Sequence, residues 1–526
     1  MTRVATSFLI AIDQVGEEMP RLLEKRQRIQ AARVRSDEQI FSRFPIESGN
    51  PIFPWRRYHV VQDNLARSLG VPNTMLPRHG SRLLIITHES IGPQMAGPGI
   101  RAWEMACALS ERFEVTVAAP GAPARSHDRV RLVAYEADDP RYASLRSSIA
   151  HADVVLTMGS LLAKIPPLQD LGKPTIIDLY DPFELEKLAQ SPHIEERYHG
   201  NIDLESTRHL SLQAAAGDFY LCASERQRDF WLGVLLAHGR INSQTYAQDA
   251  TLRALIDVAP YGIPAQPPER RRPVLKGIHP CIGRDDKLLF WNGGLWQWFD
   301  PLTLLDALVI TLRSRDDVKL YFAAGRHFDP NIVREMPIYD QVTDRSRELG
   351  LLDNSVIFGD WIPYDERGDY LLEADLGVTT HQDTVESRFA SRSRILDCIW
   401  SGLPVISTAG DPLSALITKH GLGRTVPPGQ PEALAQAILD MLADNDLRQR
   451  VTERAENVRG EFVWSQSVKP IAGFLERAAF APDALAASRR LATQRRVEEL
   501  EASLEKIHQH WIMRCLRAVR FALGRE

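Results

Sequence analysis

Residues 82–120 read RLLIITHESIGPQMAGPGIRAWEMACALSERFEVTVAAP. The stretch opens on a β-branched run, RLLIIT, with no polar face. A strand apolar on both sides belongs in a parallel sheet with helices on each face. A glycine-rich loop follows, then a helix over about 99–112, then a second apolar strand, FEVTVAAP. Strand, helix and strand in that order form a βαβ unit. RVRLVAYEA, ADVVLTMG, KPTIIDLYD and DFYLCAS continue the alternation as far as VAPYGIPAQ at 258–266. Residues 81–265 are thus expected to form one doubly wound α/β domain.

Residues 266–285 are rich in Pro and Arg and lack periodicity, which reads as an interdomain linker. A second alternation fills 286–480. Its strands are KLLFWNGG, VKLYFAAG, SVIFGDW, ADLGVTT and LPVIST, with helices from 301, near 338–349, at 392–401 and from 431. The expectation is α/β, two Rossmann-like halves facing a cleft, with ligands beyond the carboxyl ends of the strands. Residues 1–80 form an N-terminal extension. It holds a charged helix around 17–35 and a Pro-rich aromatic stretch, FPIESGNPIFPWRRYHV, and suggests no chemistry. Residues 481–526 form a helical tail.

The chain has 526 residues, 44% apolar and 25% charged, which excludes disorder and low-complexity polymer as descriptions of the whole. With 63 basic and 68 acidic residues the net charge is −5, so no global positive field marks a nucleic-acid binder. The five cysteines, Cys107, Cys222, Cys281, Cys398 and Cys515, form no CxxC pair, which reads as reduced thiols in a cytoplasmic protein. The N-terminus carries Asp13, Glu17 and Glu18 after a short apolar run, without a small-residue cleavage site, so no signal peptide is expected. No apolar run reaches the length of a membrane span.

Two motifs carry chemistry. In 87–109, Gly92, Gly97 and Gly99 lie between strand and helix, where backbone N–H groups approach a ligand and the helix N-terminus adds partial positive charge. The spacing is not G-x-G-x-x-G, so the nicotinamide fingerprint fails. Arg101 and Glu104, in the first turns of the helix, read either as a surface salt bridge or as site residues. In 381–407, HQDTVESRFASRSRILDCIWSGLPVIS, a loop enters a helix that stops at Gly402, and Pro404 opens the next strand. Ser391 or Ser393 can cap that helix. Arg388, Arg392 and Arg394 crowd its start, and guanidinium groups at a helix N-terminus suit a diphosphate. Asp397, a turn further in, suits ribose hydroxyls.

The segment DCIWSGLPVIS resembles the end of the E-x7-E element of family 4 glycosyltransferases. The resemblance extends over about 82–480 and implies a GT-B fold. It is strongest toward the bacterial surface-polysaccharide subgroup, on LFWNGGLWQWFDPLTLLDAL and DWIPYDERGDYLLEADLGVTTH. It implies that Asp397 holds the donor ribose. The first acidic position of the element is Phe389 here, and the nearest acid is Glu386. The loop after the first strand of the second half has Gly293 and Gly294 but no cation; backbone N–H groups there, with Arg388, Arg392 or Arg394, would take the diphosphate. Trp291, Trp296 and Trp298 are either a sugar wall or ordinary packing. Tyr180 and Asp181 stand where relatives often have His and Asp beside the donor sugar, and Ser224 and Glu225 match a common Ser-Glu pair of the fold. His88 and His381 follow strands.

The function so implied is retaining transfer of a sugar from a nucleotide sugar to a glycan or polyprenyl-linked acceptor in surface-polysaccharide synthesis, with no cofactor and no metal. Glu386, Arg394, Arg392 and Asp181 are the catalytic candidates. Asp397, Arg388, Gly293, Gly294, Gly97 and Gly99 are the donor-binding ones; Arg101, His88 and Tyr180 the acceptor-binding ones. The alternatives are an inactive GT-B scaffold and a nucleotide-sugar epimerase of the same fold. In the tail, Val497, Leu500, Leu504, Ile507 and Trp511 step by 3, 4, 3 and 4, a heptad seam suited to a homo-oligomer. Beyond it, Trp511, Ile512, Cys515, Leu516, Val519 and Leu523 oppose Arg514, Arg517 and Arg520, a pattern suited to an anionic membrane surface, peripheral on the inner face of the cytoplasmic membrane.

Overall fold

A computed structural model describes residues 2–36, 39, 56–68, 82–136, 139, 141–168, 171–190, 199–329 and 337–522. The Pro-rich stretch as far as residue 55, the side chain of Arg517 and Leu523 lie outside the described residues. Two compact units are present: Met1–Pro54 with Val61–Arg78, and Trp55–Val60 with His79–Glu526. In the first, the helix expected over 17–35 is longer, Thr2–Ala31, because apolar and helix-forming residues continue back through the N-terminus.

The second unit contains two parallel sheets. The first is built from β1 (Arg82–Ile86), β2 (Glu114–Pro120), β3 (Val130–Tyr135), β4 (Val154–Met158), β5 (Thr175–Asp178), β6 (Phe219–Cys222) and β7 (Ile256–Val258), in the order β3-β2-β1-β4-β5-β6-β7. Leu83, Leu84, Ile85 and Ile86 are each 1% exposed, so both faces of β1 are covered, as its composition requires. The second sheet is built from β8 (Lys287–Trp291), β9 (Val318–Phe322), β10 (Val356–Phe358), β11 (Leu376–Thr379), β12 (Val405–Thr408) and β13 (Gly423–Val426), in the order β10-β9-β8-β11-β12-β13. Each sheet reverses its winding beside its first strand, between β1 and β4 and between β8 and β11. Ligand loops gather at such switch points. This is a GT-B architecture.

The helix starts and stops follow local chemistry. Asp300 caps Pro301–Leu312 by accepting from the Thr303 N–H at 3.1 Å. Gly402 ends Ser393–Ser401 with φ +62°, a left-handed cap that glycine adopts at least cost. The strand β13 has no apolar alternation to announce it. Gly423 lets it approach β12 closely: a Cβ there would lie 1.8 Å from the Val405 carbonyl oxygen.

Two boundaries differ from expectation. The second half does not extend to 480. After helix Leu447–Arg459 the chain crosses back, bridging Val463 to Ile263, and helices Trp464–Ser467 and Lys469–Leu475 pack on the first half. Phe474 stacks on Phe219 at 5.2 Å, and the Ser467 hydroxyl donates to the Pro260 carbonyl at 2.7 Å. The segment 266–285 is bound to the second half. Glu373 accepts from the N–H groups of Val274, Leu275 and Lys276, and Trp400 donates to the Gln266 carbonyl. A Pro- and Arg-rich segment has no ladder of its own, so side-chain carboxylates satisfy its backbone.

The tail is one helix, Ala484–Ala522. Its root is fixed: Asp483, fully buried, accepts from Arg240 at 2.9 and 3.1 Å and from Asn242 at 3.0 Å. Further out, Val497, Leu500, Leu504, Ile507 and Trp511 are 48–63% exposed. Among the described residues no helix is long and apolar enough to cross a membrane.

Candidate active site

A cavity of about 660 Å³ lies between the two halves, at the carboxyl ends of both sheets. The loop after β1 contributes His88 and Glu89. Helix Gly97–Leu109 opens into the cavity at Ala96, Gly97 and Pro98, with no side-chain cap on its first N–H groups. The loop after β5 contributes Tyr180 and Asp181, and the helix beyond it Glu186. The second half contributes the loop Asn292–Phe299, then Trp361, Tyr364 and Arg367, and the helix start Ser391–Arg394 with Asp397.

One end of the cavity brings Arg392, Arg394, Asp397, Gly293 and Gly294 together. Helix Ser393–Ser401 begins with no side-chain cap; neither Ser391 nor Ser393 fills that role. The N–H groups of Ser393 and Ile395 are taken by the carbonyls of Ser391 and Arg392, and the positive end of the helix faces the cleft. Arg394 donates to the Gly294 carbonyl and lies over Phe299, 3.9 Å from the ring centroid. It has no carboxylate partner among the described residues, and its Nη1 has no hydrogen-bond acceptor. Burial, with Arg392 nearby, works against its charge. An unpaired guanidinium in this position calls for an anion. Gly293 has φ +97°, and a Cβ there would come within 3.5 Å of the Arg394 Nε, so glycine supplies both the turn and the room. Asp397 accepts from Asn292 at 2.7 Å and from Arg367 Nε at 3.4 Å. Arg367 is itself held between Tyr364 and Trp400, 3.7 and 4.4 Å from their ring centroids.

Next to these lies an acidic cluster. Arg392 donates to Glu386 at 2.6 Å and to the Ser387 hydroxyl at 3.3 Å. Asp181 and Glu186 share a hydrogen bond; burial raises both their pKa values, Glu186 well above the carboxylate range with Asp181 and then Glu386 adding to its shift, whereas the hydrogen bond from Glu186 holds Asp181 down and Glu386 raises it. One carboxyl of such a pair keeps its proton. At the loop after β1, Glu89 is 4% exposed, and burial with Asp329 pushes it up to about 7. His88, 3.7 Å from Glu89, is held down to about 4 by burial and Lys164.

Several expected site residues lie elsewhere. Arg101 does not reach the cavity. It is buried beneath it, paired with Asp178 at 2.7 and 3.1 Å and bonded to the carbonyls of Ala259 and Pro260. Glu104 does not pair with it but bonds to Tyr364 of the second half. Arg388 is exposed and does not line the cavity. Gly99 is a packing glycine, where a Cβ would sit 3.2 Å from that of Glu89. Glu386 stands behind Arg392, off the cavity wall. Phe389, at the first acidic position of the family element, packs on Phe230 of the first half with centroids 4.9 Å apart. Trp291 is core, whereas Trp296 and Trp298 stack at 5.6 Å and line the cavity. Ser224 caps helix Glu225–Ala237, and Glu225 pairs with Arg253 at 2.6 Å. His381 is buried against Thr408 and Asp411. Sequence reasoning missed Glu89, Asn292, Glu186 and Arg367. Asn292 follows β8 directly, a position that could have been read; Arg367 gave no local signal.

Residues 286–444 match the family model for glycosyl transferases group 1. That stretch is similar to a group 1 glycosyltransferase domain. Solved structures share the fold over about three quarters of the chain. Sucrose-phosphate synthase from Thermosynechococcus elongatus aligns with TM-score 0.54 at 15% identity, covering 76% of this chain and 98% of its own. HepE from Anabaena, solved with UDP and glucose, aligns with TM-score 0.54 at 15% identity, over 76% and 100%. WaaG, a glycosyltransferase involved in lipopolysaccharide biosynthesis, aligns with TM-score 0.52 at 15% identity, over 76% and 99%. No curated protein matches the chain by sequence. The fold is GT-B.

Proposed function

We propose that this protein is a retaining glycosyltransferase that moves a sugar from a nucleoside diphosphate donor to a glycan or lipid-linked glycan in surface-polysaccharide synthesis. The observation that carries this is Arg394, an unpaired cation at an uncapped helix start, one turn from an Asp397 already oriented by Asn292 and Arg367. The diphosphate would lie on Arg394 and the helix N–H groups, the ribose on Asp397. Because HepE was solved with UDP, UDP-sugars are the first donors to test.

As the bond from the anomeric carbon to the diphosphate breaks, negative charge grows on the leaving oxygen. Arg394, Arg392 and the helix dipole stabilise that charge without having to reorient, and fixed charge of this kind supplies most of the acceleration in such a step. The acceptor hydroxyl attacks the anomeric carbon from the side the diphosphate leaves, and its proton passes to the departing phosphate oxygen. The configuration is then retained without a covalent intermediate. Two features support this route over a side-chain nucleophile: Asp181 is buried and hydrogen-bonded to Glu186, and Glu386 is committed to Arg392. With Arg394 and the positive end of the helix on the diphosphate, turnover is expected to need no divalent metal and to survive EDTA.

The outer tail carries the remaining part of the reading. Its exposed Trp511, Ile512, Leu516 and Val519 would enter the headgroup region of an anionic leaflet, with Arg514 and Arg520 on phosphates, peripheral on the inner face of the cytoplasmic membrane. The seam at 497–511 would pair with a second copy.

Calorimetry with UDP-sugars tests the donor site. Asp397→Ala should weaken binding by about 1.5–3 kcal/mol for each charge-assisted bond lost. Unchanged affinity removes the assignment. Nuclear magnetic resonance of the product should show the donor's anomeric configuration; an inverted product rejects the mechanism.

A further inference from the structure

Asp397 and Arg367 both line the cavity, and the bonding capacity of the pair is only half used. Asp397 Oδ2 accepts from Asn292 at 2.7 Å and Oδ1 from Arg367 Nε at 3.4 Å, while the side chain stays 24% exposed. Each carboxylate oxygen has room for a second donor.

Arg367 is fixed beside them. Its guanidinium lies 3.7 Å from the Tyr364 ring centroid and 4.4 Å from that of Trp400, and its Nη1 donates to the Tyr364 carbonyl at 2.7 Å. Nε and Nη2 share one edge of the planar fork, and Nε is already on Asp397. Nη2 makes no hydrogen bond among the described residues. Burial works against the charge, but Tyr364, Asp397 and then Glu104 of the first half outweigh it and raise the pKa of Arg367. The cation therefore persists, and it presents an unspent N–H next to an unspent carboxylate lone pair. A hydroxyl satisfies both at once: its hydrogen goes to Asp397 and its oxygen accepts from Arg367. A site built in this way rejects an analogue that lacks the hydroxyl, because its buried polar groups are then left unpaired.

We propose that Arg367 is a specificity-determining residue that, with Asp397, reads a hydroxyl of the donor's ribose, so that ribonucleoside diphosphate sugars are accepted and deoxyribonucleoside diphosphate sugars are rejected. This rests on the glycosyltransferase reading, in which Asp397 holds the ribose. Arg394, at the diphosphate end, takes no part in the discrimination.

The test is calorimetry on the full chain with UDP, 2′-deoxy-UDP, 3′-deoxy-UDP and inorganic diphosphate. The wild type should bind both deoxy analogues about ten- to hundredfold more weakly than UDP, the loss expected for one charge-assisted bond. Arg367→Met should shrink that preference about tenfold for at least one analogue, while affinity for inorganic diphosphate stays within about twofold. Arg367→Lys keeps a cation between Tyr364 and Trp400 but has no fork; it should lose the preference too, which keeps the test decisive if the methionine variant does not fold. A merely structural role would weaken UDP and its analogues alike and leave their ratio unchanged. That result, or a wild type that binds UDP and the deoxy analogues equally, overturns the proposal. Asp397→Ala separates the two readings. If it weakens UDP while the Arg367 variants keep the preference, only the role given to Arg367 falls; if it leaves UDP affinity unchanged, the donor reading falls and takes that role with it.

Discussion

Gln227, on the first half, donates its amide to the carbonyl of Phe389, on the second, over 2.6 Å. The same nitrogen donates to the Tyr180 carbonyl at 2.8 Å, and the amide oxygen accepts from the Ala223 N–H at 2.6 Å. One fully buried side chain therefore ties the loop that carries Tyr180 and Asp181 to the loop that leads into Arg392. Arg226 beside it reinforces the tie, donating to the carbonyls of Arg388 and Gly410. Gln227→Leu should cost about 1–3 kcal/mol, because it leaves buried carbonyls unpaired. Urea unfolding measures that cost. Donor KM should rise as well, since the arginine loop loses its anchor; an unchanged KM would separate the tie from the site.

Arg394→Met should lower kcat/KM by about 10²–10³-fold, the loss seen when one preorganised charge-stabilising donor is removed. Its stability should hold or improve, because an unpaired buried cation is replaced by an apolar side chain of similar length. Steady-state kinetics and a thermal melt together check this. A large loss of stability would mean that Arg394 is structural.

Glu89 sets a pH dependence. Its pKa of about 7 lies above the ordinary 4.5, so the folded protein keeps a proton that the unfolded chain has released. Stability from this group is therefore lost as pH rises through that window. Glu89→Gln carries no charge at any pH and lacks the decline. From pH 5 to pH 8 the variant should gain about 2–3 kcal/mol relative to the wild type by urea unfolding. Parallel pH profiles would refute the assignment.

The tail has two parts that mutation should separate. Asp483→Ala leaves the buried Arg240 without its carboxylate and should destabilise the protein by about 3–5 kcal/mol. Truncation after Ala492 removes only the exposed stretch. It should leave the melting temperature unchanged and abolish sedimentation with anionic liposomes at low salt. If the full chain does not sediment with such liposomes, the seam at 497–511 is better tested by the oligomeric state in solution.

The strands, the doubly wound alternation and most helix ends were legible in the sequence alone. Each depends on neighbours a few residues apart: apolar runs such as Leu83–Ile86, the Asp300-Pro301 start, the Gly402 stop. Asp397 and the cations at Arg392 and Arg394 were legible for the same reason, since one helix start presents them together. Which polar groups meet was decided by tertiary structure. Arg367 reaches Asp397 across 30 residues, Arg101 reaches Asp178 across 77, Gln227 reaches Phe389 across 162, and Arg240 reaches Asp483 across 243. Arg101 and Arg394 read alike in sequence, as cations near the start of a helix behind a glycine loop. The fold buries the first against a carboxylate and leaves the second facing the cleft, because only packing determines which charge finds a partner inside the protein and which is left for a ligand.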